Sequence, residues 1–162
     1  MNYFVTLRVF KTFKKVTYYT FLKENDAYTE ADKFFNKCLT NDKISEQTDE
    51  LVEWIRLIGE KYGAKERYFR FENEAGALPP KFVENNQLRL YIYRVNEGIV
   101  ILSNGGIKTK QTAQECPNVK AHFRFADKMS KQLNALMGER RDKNKWKHNH
   151  QHRGDRINRL IQ

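Results

Sequence analysis

Cationic and aromatic side chains alternate with aliphatic ones along residues 87–95, QLRLYIYRV. This period of two predicts a β-strand with the leucines on one face and Arg89 and Tyr91 together on the other. A guanidinium can hold a phosphate through two hydrogen bonds, and an aromatic ring can stack on a base. The face is therefore suited to a sugar-phosphate chain. Two alternatives stay open: solvated arginines paired with Glu72 or Glu97, and tyrosines that cover a sheet edge.

A second set of candidate chemical groups lies near the C-terminus. His148, His150 and His152 alternate in KHNHQHRG, and three imidazoles can bind zinc. A spacing of two suits only an extended strand, and no cysteine lies among these histidines. Residues 138–162 also hold eight Lys/Arg against three Asp/Glu. We therefore predict no metal site but a basic tail, either a flexible arm or a terminal helix, that makes nonspecific phosphate contacts.

The charge of the whole chain points the same way. Thirty Lys/Arg against twenty Asp/Glu give a formal net charge of +10 and a pI near 9.6. Such a surface favours a polyanion, with RNA or DNA first and an acidic protein as the alternative. No amphipathic segment combines a basic face with free aromatic residues, and no run approaches the roughly 18 apolar residues of a membrane span. We expect no membrane partner.

Cysteine usage and the N-terminal residues indicate the compartment. Cys38 and Cys116 are far apart and form no C-x-x-C pair, and Cys38 lies on the apolar side of a predicted helix. The opening MNYFVTLRVFKTF contains no apolar signal core. These features predict a cytoplasmic protein with free thiols. Its 162 residues fit one domain with one hydrophobic core.

Hydrophobic periodicity predicts an α+β domain over residues 1–137, followed by the basic, histidine-containing tail 138–162. Residues 11–22 fit neither period, and Gly76, Pro79 and Pro80 indicate a loop. We expect the helices on one face of a mostly antiparallel sheet. The predicted strands cover 3–10, 67–71, 87–95 and 99–102, and the predicted helical stripes run over 26–39 (capped by Asn25 or Asp26), 44–58 and 119–136 (ended by Gly138).

One segment also resembles a known family. Residues 66–112, ERYFRFENEAGALPPKFVENNQLRLYIYRVNEGIVILSNGGIKTKQT, contain a charged aromatic strand, a loop, an L-R-L-Y strand, a turn and a hydrophobic strand ending in Gly–x–Lys. This order is similar to the central part of the RelE/HigB/ParE toxin superfamily. The resemblance implies a RelE/ParE-like fold, a small antiparallel sheet with an N-terminal helical hairpin and a C-terminal helix.

The function that the resemblance implies is that of a toxin in a type II toxin–antitoxin system. Such a protein would cleave messenger RNA, often on the ribosome, without metal or cofactor, until an acidic antitoxin protein blocks it. Two alternatives on the same fold remain, namely an inactive RNA- or protein-binding module and a ParE-like inhibitor of DNA gyrase.

The resemblance also assigns roles to particular residues. The positions that match catalytic groups are Arg89, Arg94, Lys108 and Lys110, and those that match substrate contacts are Arg70, Tyr91 and Tyr93. The family commonly carries a His or Tyr near the C-terminal end of the domain, where this chain has Lys108. His122 lies in an apolar helical stripe and is predicted to be a core histidine. Whether the chain is an enzyme therefore stays open.

Overall fold

The computed structural model describes residues 4–142 and contains the predicted hairpin. Its strands β5 (Leu88–Asn96) and β6 (Ile99–Ile107) pair antiparallel, as their alternation predicts. β6 runs past the predicted residue 102 through two glycines. A Cβ on Gly105 would lie 1.7 Å from the carbonyl oxygen of Arg89, so only glycine lets the two backbones approach there.

Six strands form one sheet in the order β1-β2-β6-β5-β4-β3. Every neighbouring pair is antiparallel except β2 and β6, which run parallel. The fold is therefore a mixed α+β arrangement with a mostly antiparallel sheet. The four remaining strands are β1 (Val5–Thr12), β2 (Thr17–Lys23), β3 (Arg70–Glu72) and β4 (Ala75–Leu78).

Two of these strands lie where the sequence predicted an extended or irregular stretch (β2) and a loop (β4). β2 forms in the stretch that fits neither period, because Tyr18 and Phe21 are both buried, but in different core clusters. β4 corrects the prediction of a loop at Gly76. Its four residues are buried between β3 and β5, and a Cβ on Gly76 would come within 2.9 Å of Ile92. The glycine is there for close packing, not for a turn.

The helices follow the predicted stripes with corrected ends. The helix α1 (Glu30–Leu39) is capped by Thr29, whose hydroxyl accepts from the Asp32 amide, and not by Asn25 or Asp26. The helix α2 (Ser45–Leu57) continues as one π-helical turn (Ile58–Tyr62) that ends at Gly63, with φ at +77°. The helix α3 (Lys120–Asp142) passes through Gly138, so that glycine is not the predicted stop.

Helices cover both faces of the sheet, which corrects the expectation that all helices lie on one face. Leu88, Leu90 and Ile92 pack in one core cluster with α1 and α2. The opposite residues of β5, Tyr91 and Tyr93, pack with residues of α3. An aromatic strand face offers much apolar surface, and burying it under α3 stabilises the fold.

Residues 4–142 include both cysteines of the chain. Cys38 and Cys116 are both free and buried. No helix of this part of the chain is long and apolar enough to cross a membrane. The same residues contain no group of three His, Cys, Asp or Glu side chains that could hold a metal ion. His148, His150 and His152 lie outside the described residues, as does most of the predicted tail.

Candidate functional site

Only three of the five predicted cationic residues lie close together, at one corner of the sheet. Arg70 is on β3, Arg89 is near the start of β5, and Lys108 directly follows β6. Glu72, also on β3, interacts electrostatically with Arg89 and lies 3.7 Å from the Lys108 ammonium. We call Arg70, Glu72, Arg89 and Lys108 the basic corner. Among the described residues it combines three cations with one carboxylate.

Arg70 fixes the loop between β4 and β5. Its Nε donates to the Pro79 carbonyl at 2.8 Å, and its Nη2 donates to the carbonyls of Pro80 and Val83 at 3.2 and 3.0 Å. Burial lowers the pKa of Arg70. The Arg70 guanidinium therefore mainly holds the β4–β5 loop, and it also adds a positive charge to the basic corner.

Arg89 is the cation with the most unused hydrogen-bonding capacity. Its Nη1 donates to the carbonyls of Asn86 and Leu88 at 2.8 and 2.7 Å. In the described part of the chain, Nε and Nη2 have no partner and no carboxylate forms an ion pair with it. Burial, reinforced by the charge of Arg70, lowers its pKa to about 10, so it stays protonated at neutral pH. A partly buried guanidinium with free donors can bind an anion.

The two lysines at the end of β6 differ. Lys108 is only 15% exposed and faces Glu72, whose other oxygen accepts from the amide of Ala113 at 3.3 Å. Lys110 is exposed and has no side-chain partner among residues 4–142. Lys108 therefore belongs to the corner, whereas Lys110 lies on the adjoining surface.

Arg94 does not join them. It lies five residues along β5 from Arg89, a separation of about 17 Å in an extended strand, and on the face covered by α1 and α2. Its Nε donates to the Ala64 carbonyl, and its Nη1 lies 3.7 Å from Glu66. The four basic side chains that were expected to cluster are therefore separated. Because side chains alternate along a strand, Arg94 points to the same face as Leu90 and away from Arg89.

Tyr91 and Tyr93 do not form an open stacking surface, which corrects that expectation. They are 2% and 8% exposed. The ring of Tyr91 lies edge-on to Phe123 of α3 with centroids 5.7 Å apart, and the Tyr93 hydroxyl donates to Asn134 at 2.7 Å. The Tyr91 hydroxyl is buried with no hydrogen-bond partner among the described residues, and burial raises its pKa.

Cys116 is a neighbour of the corner that sequence reasoning missed. It packs in the same core cluster as Tyr91. Burial alone raises its pKa, but hydrogen bonds from Thr109 and from the amides of Asn118 and Lys110 outweigh burial and lower it to about 7. The sequence signal was its position just before Pro117 and the third helix.

His122 is not a core residue, contrary to the prediction. It is half-buried, and its Nε2 lies 3.3 Å from the ammonium of Lys37 on α1. Burial, followed by the charge of Lys37, lowers the pKa of His122 to about 4. The imidazole is therefore neutral at physiological pH, and its contact to Lys37 lies outside the basic corner.

Comparisons with known proteins identify no relative: no protein-family model, no curated protein and no solved structure matches the chain. The likeness to the RelE/HigB/ParE toxins thus stands on the motifs of residues 66–112 and on the order of elements over most of residues 1–137. Chemically, the corner can hold an anion through Arg89 and Lys108. Tyr91, which interacts electrostatically with Arg89, is buried, so the usual acid–base group that the corner itself contains is the Glu72 carboxylate.

Proposed function

We propose that the chain is a RelE-like protein that acts on RNA, and that the basic corner holds an RNA phosphate. One observation carries the proposal. The guanidinium of Arg89 is partly buried beside the like charge of Arg70, and its Nε and Nη2 have no partner in the described part of the chain. An unpaired buried charge destabilises a protein unless a ligand neutralises it, and a phosphate diester matches both its charge and its geometry.

The order of elements supports the resemblance to this class. The predicted succession of a strand, two helices, three strands and a helix occurs as β1, α1, α2, β3, β5, β6 and α3. The two additional strands, β2 and β4, lie inside the sheet. The overall charge of +10 also favours a polyanion.

Metal-free messenger RNA cleavage, as a toxin neutralised by an acidic antitoxin protein in the cytoplasm, is the activity we propose first. Cations at the corner would stabilise the charge that develops on the phosphate. Binding without cleavage is the second candidate, and the burial of Tyr91 under α3 favours it, because a buried phenol cannot transfer a proton to substrate.

Cleavage and binding can be measured with one pair of variants. Purified protein is incubated with messenger RNA in chelator, and binding is followed with a 2′-O-methyl oligoribonucleotide that cannot be cleaved. We expect Arg89→Gln to reduce binding and any cleavage at least about tenfold, since charged hydrogen bonds are strong. The matched control is Arg94→Gln, which alters the same strand at its other end and is expected to change neither by more than about twofold.

The outcomes separate the candidates. Degradation in chelator that Arg89→Gln abolishes supports the ribonuclease, and intact RNA with salt-sensitive binding supports the binding module. Equal RNA affinity of the wild type, Arg89→Gln and Arg94→Gln proteins would exclude the corner as the RNA site. Growth arrest on expressing the chain alone would test the toxin activity in cells.

A further inference from the structure

Four aromatic rings form a cluster on the side of the sheet that α2 covers. Trp54 lies at its centre, with ring centroids 6.4 Å from Tyr62, 6.1 Å from Tyr68 and 5.2 Å from Phe82. Tyr62 and Tyr68 stack at 5.3 Å with 13° between their planes. We call these four residues the aromatic patch. They come from α2, the π-helical turn, the short 3₁₀ turn Glu66–Tyr68 and the β4–β5 loop.

The patch has a buried base and an exposed rim. Tyr68 is buried, and Trp54 packs partly against the main core cluster. Phe82 and Tyr62 are 56% and 38% exposed. The two rim rings therefore rest on two supported rings while ring surface stays open to solvent. Large aromatic side chains that are ordered by their neighbours yet exposed lose little entropy when a flat ligand stacks on them.

The loop that carries Phe82 is fixed from the basic corner. Arg70 donates to the carbonyls of Pro80 and Val83, on either side of Phe82 in the chain. Farther along the same loop, Asn86 accepts from Arg89 through its carbonyl and donates to Gln47 and Glu50 of α2 through its amide. The two guanidiniums of the basic corner thus also fix the backbone of the loop that carries Phe82.

The charges around the patch favour an anionic occupant. Arg67 lies over the ring of Tyr68 at 5.1 Å. Three of the acidic residues nearby are already engaged, Glu53 by Arg56, Glu66 by Arg94 and Glu50 by Asn86. Apart from Arg70 of the basic corner, six charged residues of the described chain lie within three positions of a patch residue and form no ion pair. They are four cations, Lys61, Lys65, Arg67 and Lys81, and two carboxylates, Glu60 and Glu84.

We propose that the aromatic patch is a base-stacking subsite, on which unpaired RNA bases lie while the basic corner holds a phosphate of the same strand. This rests on the proposed function. Every base offers a ring face, whereas the bases of a duplex are stacked on one another, so the subsite selects single-stranded RNA. A single RNA strand would stack its bases on the rings and neutralise the cations with its phosphates.

The test compares two phenylalanines of equal exposure. Phe82→Ala removes a rim ring, and the control Phe4→Ala removes a ring that is 57% exposed next to β1, at the opposite edge of the sheet from β3. Binding is measured with a single-stranded 2′-O-methyl oligoribonucleotide and with its duplex. We expect Phe82→Ala to weaken single-strand binding by roughly 5- to 100-fold, Phe82→Trp to retain it, and Phe4→Ala to change it less than twofold. The duplex should bind more weakly than the single strand.

A second readout keeps the test decisive if Phe82→Ala folds poorly. In a Trp146→Phe background Trp54 is the remaining tryptophan, and stacking should quench its fluorescence on saturation with the oligoribonucleotide. Tyr62→Ala should then weaken binding as Phe82→Ala does. Unchanged fluorescence, or patch variants that bind RNA like Phe4→Ala, would overturn the inference, as would a protein partner that needs the rings while RNA does not.

Failure of the subsite differs from failure of the proposed function. Loss of binding in Arg89→Gln, with normal binding in the patch variants, would refute the subsite and leave the phosphate site standing. A wild-type chain that binds no RNA would refute both.

Discussion

Two groups of charged side chains in this protein invite comparison. The first, the α1 ion cluster, consists of Lys23, Asp26, Glu30 and Lys33. Glu30 is 2% exposed and lies 3.2 Å from the ammonium of Lys23 and 2.9 Å from that of Lys33, which also contacts Asp26. Two cations thus meet two carboxylates, and the cluster neutralises itself.

The basic corner contains similar residues in a different ratio. Its three cations, Arg70, Arg89 and Lys108, stand against the single carboxylate of Glu72, which is 3.7 Å from Lys108 and interacts electrostatically with Arg89. Because burying an unmatched charge costs free energy, we expect a bound anion to stabilise the corner. A count of lysines and arginines therefore does not locate an anion site, whereas the balance of charge within each cluster indicates where an anion could bind.

The largest change in the free energy of unfolding is expected when the α1 ion cluster loses its buried carboxylate. Glu30→Ala removes the buried carboxylate that Lys23 and Lys33 both contact. Because the two lysines are partly exposed and Lys33 keeps its contact to Asp26, we expect a loss of about 2 to 3 kcal/mol in the free energy of unfolding. Urea titration measures it. The control, Glu53→Ala, breaks an exposed pair with Arg56 and should cost below about 1 kcal/mol. Equal losses in both variants would refute the contrast between buried and exposed pairs.

The corner should respond to an added anion, and the α1 ion cluster should not. Inorganic phosphate at ten times its dissociation constant should raise the free energy of unfolding of the wild type by about 1.4 kcal/mol. Arg89→Gln should abolish this gain, because it removes the free donors. Thermal unfolding with and without phosphate, at constant ionic strength, separates binding from screening. A gain that survives in Arg89→Gln would place the anion elsewhere.

A pH effect sharpens the comparison on the α1 side. His122, with a pKa of about 4 in the folded state and an ordinary value of 6.5, faces Lys37, Lys23, Lys33 and Glu30. As the pH falls from 6.5 to 4, His122 becomes protonated in the unfolded chain but stays neutral in the folded chain, so the free energy of unfolding decreases. We expect about 1 kcal/mol of this loss to disappear in His122→Gln, less than the full pKa shift because the ring is partly exposed. Parallel pH profiles of the two proteins would contradict the prediction.

The smallest effect concerns how the corner contributes to affinity. Lys108→Gln removes one phosphate contact, so the slope of log affinity against log salt should flatten by about 0.7 for a single strand. Lys33→Gln, in the self-neutralised cluster, should leave the slope unchanged. Filter binding over a range of salt concentrations provides both slopes. A flatter slope in Lys33→Gln would show that the α1 ion cluster also contacts RNA.

Part of the fold could be predicted because its signals are local. The alternation over residues 87–95 predicted β5, and the stripe Ala31, Phe34 and Cys38 predicted the buried side of α1. β2 gave no periodic signal, because helices cover both of its faces and apolar residues therefore occupy both. β4 was not predicted because a glycine followed by prolines is typical of a loop. In the fold, Gly76 instead leaves room for the side chain of Ile92.

The candidate site shows the same division. Strand alternation correctly predicted that Arg89 and Tyr91 share a side, which agrees with their electrostatic contact and with the packing of Tyr91 under α3. It could not predict that α3 covers that side, because the contact joins residues about thirty positions apart in the chain. The same alternation already separated Arg94 from Arg89, and only the resemblance to the toxin family had grouped them.

By itself, the sequence determined the chain's net positive charge, the periodicity of its helices and of the β5–β6 hairpin, and which side chains could contact phosphate. The tertiary structure decided which charges are neutralised. Glu30 reaches two lysines, whereas Arg89 reaches only carbonyls and lies beside another arginine. The physical reason is that the Coulomb energy of a side chain depends on distance and burial, and both are set by contacts between elements far apart in the chain.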